Sequence, residues 1–149
     1  MSNSWVAPIS FTATGKITAE PSDASVTLRA LDLSLQQDAP LDDLHWTATV
    51  ELHRVTSIGS GGGLTAFALR DANASTASPL TWRYGSSCTD LGLLARWTVV
   101  PGATVPLELP CRGVVTDRDS SGVHKGLGFF VTFQSGFTGT LMINAWYED

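Results

Sequence analysis

Charge is scarce in this chain. Of 149 residues only 15% are Asp, Glu, Lys or Arg, against about 25% in ordinary soluble domains. Lysine is nearly missing: Lys16 and Lys125 are the two, the basic residues never cluster, and the formal net charge is −5. Phosphate backbones are held by grouped Lys and Arg, so nucleic acid is not expected as a partner. Cysteine is equally sparse, with Cys88 and Cys111 expected as reduced, partly buried thiols. No apolar run approaches the ~18 residues of a membrane-spanning helix. Met1-Ser2-Asn3-Ser4-Trp5 shows neither the basic start nor the apolar stretch of a secretory leader. The expectation is therefore a chain without a membrane partner. Helical periodicity is missing too: Thr89–Arg96 is the best helical candidate, and it spans only about two turns.

What is present is alternation with a period of two. From Leu44 to His53 the residues Trp46, Ala48, Val50 and Leu52 take one face, while His45, Thr47, Thr49, Glu51 and His53 take the other. That pattern describes a half-buried antiparallel strand with one wet side. Val26–Ala30 alternates in one phase and Leu31–Leu35 in the opposite one, so a β-bulge or bend is expected at Ala30-Leu31. Further strands are expected at Ile9–Ala13, Gly15–Ala19, Leu64–Leu69, Leu80–Tyr84, Leu93–Val99, Val105–Leu109, Gly113–Thr116, Gly126–Gln134 and Thr138–Tyr147. Turn residues separate them, as in Glu20-Pro21-Ser22-Asp23 and Pro101-Gly102. The chain suits one domain, 1–149, large enough for a core. This number of strands in one domain implies an all-β, two-sheet antiparallel sandwich of jelly-roll type.

Several constellations invite a chemical reading and none completes it. The tract Gly59-Ser60-Gly61-Gly62-Gly63 is followed by Leu64-Thr65 rather than by the Lys-Ser/Thr pair and helix of a phosphate-binding loop. A glycine-rich hairpin or crossover loop is expected instead. His45, Glu51 and His53 share a strand face, and Asp32 or His124 would have to supply a further metal ligand. A polar, solvated face is the simpler reading. Gly85-Ser86-Ser87-Cys88 lacks the second glycine of a nucleophile elbow, and nothing beside Cys88 lowers a thiol pKa. Asp117-Arg118-Asp119-Ser120-Ser121-Gly122 lacks the closing Glu of a calcium loop. The expectation is no catalysis, no metal and no cofactor.

The five tryptophans are many for this length. Trp46 falls on the apolar side of its strand and is expected in the core, and Trp82 is open to either side. Trp146 is in phase with Thr140, Met142 and Asn144, opposite to Leu141, Ile143, Ala145 and Tyr147. Large apolar groups on the non-core side of a strand point to an interface. Trp146, Met142, Gly61, Gly62 and Trp82 are the candidate contacts, with exposed indoles stacking on sugar as the alternative.

The stretch from Leu52 to Ala77 resembles a pattern found in small β-proteins of tailed-bacteriophage virions. It carries Arg54-Val55-Thr56, Gly59-Ser60-Gly61-Gly62, Leu64-Thr65, Leu69-Arg70-Asp71-Ala72 and Ala74-Ser75-Thr76-Ala77, departing at Ala66-Phe67 where a Thr-Pro pair is more usual. The ending, Phe137 to Glu148, is similar to the closing strand of such proteins and of trimeric jelly rolls. The resemblance implies a capsid decoration or cement protein, or else a tail or fibre component, assembled in the host cytoplasm. Its implied partners are the major capsid protein or another virion protein and further copies of itself, a trimer first and a dimer second. A carbohydrate-binding sandwich on a tail fibre is the alternative.

Overall fold

A computed structural model describes residues 4–22, 25–38, 46–56, 61–69, 78–85, 87–102, 104–109, 114–118 and 124–149, with backbone alone for 114–118 and 124. Its described residues form strands and no helix. In order these are β1 (Ser4–Phe11), β2 (Gly15–Pro21), β3 (Val26–Gln37), β4 (Ala48–Thr56), β5 (Gly63–Leu64), β6 (Phe67–Ala68), β7 (Leu80–Tyr84), β8 (Thr89–Val99), β9 (Thr104–Glu108), β10 (Val114–Arg118), β11 (His124–Phe133) and β12 (Gly139–Glu148). All strand pairings are antiparallel and build two sheets. The first runs β6-β1-β12-β3, with β9 and β10 sharing the far edge of β3. The second runs β5-β7-β2-β11-β4-β8. β10 belongs to both, pairing with β3 through Val114–Thr116 and with β11 through Asp117 and Arg118.

The alternation read from sequence is what lets two sheets bury one face each. In β12 Leu141, Ile143, Ala145 and Tyr147 are buried while the residues between them are partly exposed. In β3 the phase does reverse: Trp146 pairs with Ala30 but Tyr147 with Leu28, so Arg29 is the extra residue of a bulge. That slip keeps Leu28 and Leu31, three positions apart, on the same inner side. An aromatic block ties the sheets together. Trp5 stacks on Tyr147 at 6.0 Å and Trp82 on Phe129 at 6.2 Å. The Trp82 indole N–H donates to the Tyr147 hydroxyl at 3.3 Å, which shares a 2.7 Å bond with Ser78. Burial pushes the Tyr147 phenol pKa up.

Thr89–Arg96, the best helical candidate in a chain where no helix is expected, belongs to β8, bonded along β4. Three expectations need correction. Leu64–Leu69 is not one strand: β5 pairs with β7 of the second sheet and β6 with β1 of the first. The segment following the glycine tract is thus a crossover that closes one flank of the sandwich. Trp82 is 2% exposed and spent in the core, so it offers nothing to a partner. Trp46 is only partly buried, tilted against Phe137 at 5.9 Å.

Candidate functional site

Cross-strand register makes each outer face a set of rows, because residues directly paired in a sheet point the same way. On the outer face of the first sheet one row reads Phe67, Val6, Trp146, Ala30, from β6 through β1 and β12 to β3. Phe67 is 59% exposed, and Val6, Trp146 and Ala30 are partly exposed. Met142 faces the same way, between Ser10 and Ser34. Trp146 and Met142 both stand on the outer face, where the alternation of β12 puts them, but only Trp146 lies in the apolar row: Pro8, Asn144 and Asp32 form the row between them, and Ser10 and Ser34 flank Met142. Phe67 and Val6, which complete the row, were not singled out from sequence; β6 in particular is too short to carry a periodic signal.

Gly61 and Gly62 lie elsewhere, against β7. The Tyr84 N–H donates to the Gly62 carbonyl at 2.9 Å, and a Cβ on Gly61 would come within 2.0 Å of the Tyr84 carbonyl oxygen. Glycine is required there by close backbone approach. Ser57–Ser60 are outside the described residues.

A third surface is the free side of β8, which bonds only to β4 among the described residues. Ala95 pairs with Leu52 and Leu93 with His53, leaving Leu94 as an extra residue; Gly92 pairs with Arg54 and Asp90 with Val55, leaving Leu91 as another. Bulges re-aim side chains at sheet edges. Here Leu91, Leu93 and Leu94 are 47%, 48% and 44% exposed. Gly92, with φ of +147°, holds the backbone between them in a conformation that side-chain-bearing residues rarely adopt.

The outer face of the second sheet is polar and tightly connected. One row reads Lys16, Phe130, Glu51, Arg96 across β2, β11, β4 and β8. Arg96 Nε donates to Glu51 Oε2 at 2.6 Å. His53 Nε2 meets Glu51 Oε1 at 3.2 Å, and its Nδ1 meets Asp90 Oδ1 at 3.0 Å. The imidazole lies flat on Phe130 at 4.0 Å, and Lys16 Nζ is 4.4 Å from the centre of the same ring. Hydrogen bonds from Arg96 and then His53 hold the Glu51 pKa below its ordinary value, and those from His53 and the Gly92 amide lower that of Asp90.

The expected solvated strand face is therefore wrong at His53, which is 7% exposed. Glu51 and His53 do come together, but both imidazole nitrogens are directed at carboxylate oxygens rather than at a common metal position. Asp32 cannot join them: it pairs with Asn144 and Pro106 on the outer side of the other sheet. His45, the His124 side chain and Asp119–Gly122 fall outside the described residues, as does Cys111. Cys88 is half-buried, and desolvation pushes its thiol pKa up, opposite to what a nucleophile needs. An open pocket of about 590 Å³ adjoins the row, between the β1–β2 turn and the ends of β7 and β11.

Compared with known proteins, the chain matches no family model, no curated protein and no solved structure.

Proposed function

We propose that this chain is an assembly protein, a jelly-roll sandwich that works by protein–protein contact through the outer face of its first sheet. The observation that carries the reading is the row Phe67, Val6, Trp146, Ala30. Leaving large apolar side chains in water forgoes about 1.5–3 kcal/mol each, and apolar patches of this kind mark contact sites. Aromatic residues and Met are enriched at such contacts, and charge is depleted. The strand orders β1-β12-β3-β9 and β2-β11-β4-β8 support the jelly-roll topology, with β5 to β7 as an insertion between β4 and β8. Viral capsid and lectin domains use that architecture. The virion decoration role implied by the Leu52–Ala77 stretch is the specific form of this reading, with the major capsid protein as partner and a trimer before a dimer as the self-assembled unit.

Sedimentation of the wild type and of Trp146→Ala tests it. The wild type is expected to sediment as an oligomer, and the variant as a monomer that still unfolds cooperatively. A wild type that remains monomeric at high concentration overturns self-assembly through this face.

A further inference from the structure

We propose that the pocket beside the β1–β2 turn binds a carboxylate-bearing sugar, a uronic or sialic acid unit, on the outer face of the second sheet. The pocket, about 590 Å³, has the size and the mixed lining of small-ligand sites: Phe11, Phe130 and Val131 give apolar wall, and a few polar groups converge on it. Lys16 supplies the charge. Its ammonium rests over the Phe130 ring and makes no ion pair among the described residues.

Tyr84 supplies a second donor. Its oxygen accepts from the Ser10 N–H at 3.2 Å, and its own hydroxyl proton has no acceptor among the described residues. Glu51 also lines the pocket, but both its oxygens are already engaged, by Arg96 and His53. The wall therefore presents cationic and neutral donors with its one carboxylate neutralised, which selects an anion. Thr12, Thr14 and Thr132 also line the pocket, Thr14 with its hydroxyl oxygen accepting from the Phe133 N–H at 3.0 Å, and three hydroxyl-bearing residues suit a ligand rich in hydroxyls rather than a lone acidic side chain. The site uses the face of the sandwich opposite to Trp146, so it stands or falls independently of the assembly reading.

The test is calorimetric titration of the full chain with D-glucuronate and N-acetylneuraminate, with D-glucose and N-acetyl-glutamate as controls. At least one acidic sugar is expected to bind more tightly than both controls. Lys16→Met, which keeps most of the aliphatic stem, is expected to weaken that binding about tenfold or more. Tyr84→Phe, which keeps the ring, is expected to weaken it less, and neither variant should change the sedimentation of the protein. Equal binding of glucose, equal binding of N-acetyl-glutamate, no binding of either acidic sugar, or unchanged affinity in both variants overturns the proposal.

Discussion

The two outer faces of this sandwich are made by the same pleat and end up as opposites. On the first sheet the cross-strand row is Phe67, Val6, Trp146, Ala30, with the ion-paired Arg29 and Glu148 next along β3 and β12. On the second sheet the corresponding row is Lys16, Phe130, Glu51, Arg96, in which Arg96 bonds to Glu51, Glu51 to His53, and His53 in turn to Asp90. The second face carries a hydrogen-bonded cluster of Glu51, His53, Asp90 and Arg96, whereas the first leaves Phe67, Val6 and Trp146 at least partly exposed.

The largest effect expected from breaking this comparison comes from making the same deletion inside and outside. Trp82→Ala removes a core side chain that bridges Phe129 and Tyr147 and should cost about 3–5 kcal/mol in chemical denaturation. Trp146→Ala, on the outer row, should cost far less in the isolated chain.

Next comes the packing of the polar face. Phe130 lies across Gly128, where a Cβ would meet the ring at 2.9 Å and Val55 at 3.2 Å. Gly128→Ala should lift the ring off the sheet, disturb its stacking on His53, and destabilise by about 1–3 kcal/mol.

Acid should erode the second face selectively. Glu51 and Asp90 have folded pKa values below their unfolded ones. The stabilisation they give is thus complete above the ordinary carboxylate range and is lost as pH falls through their folded values. Urea denaturation at about pH 6 and about pH 3 should show a larger loss for the wild type than for Glu51→Gln. The smallest effect belongs to the open edge: Leu93→Ser should leave stability within about 0.5 kcal/mol, measured by thermal melting, while raising solubility.

Much of the strand framework was legible in the sequence, because one-sided burial writes itself as alternation. Leu80–Tyr84 coincides with β7, the facing of Trp146 and Met142 follows from β12, and the slip in β3 falls at Arg29, one residue from the expected Ala30-Leu31. The faintly helical look of Thr89–Arg96 has a definite cause. Bulges insert Leu91 and Leu94 into β8, so apolar residues recur at Leu91, Leu94 and Ala95, a spacing that imitates a helix face. His53 was misplaced for another reason. What buries it is Phe130 from β11 and Asp90 from β8, and a strand's own periodicity says nothing about side chains arriving from distant segments. The pocket was out of reach for the same reason, since Ser10, Lys16, Glu51, Tyr84 and Phe130 meet there only through pairing of remote strands.

The position of β12 has a consequence for the order in which the chain can close. The latest strand in the described order is a central one, lying between β1 and β3 with Ser4 opposite Glu148. Until it emerges, Ala7 and Ile9 on β1 lack the β12 neighbours that pair with them, and the first sheet exists as separated halves. Contacts so distant along the chain make closure slow, and the waiting strands expose apolar surface that invites aggregation. A chain stalled before Gly139 would therefore be expected to hold the first sheet only as separate pieces, β1 with β6 and β3 with β9 and β10, rather than to fray at one edge.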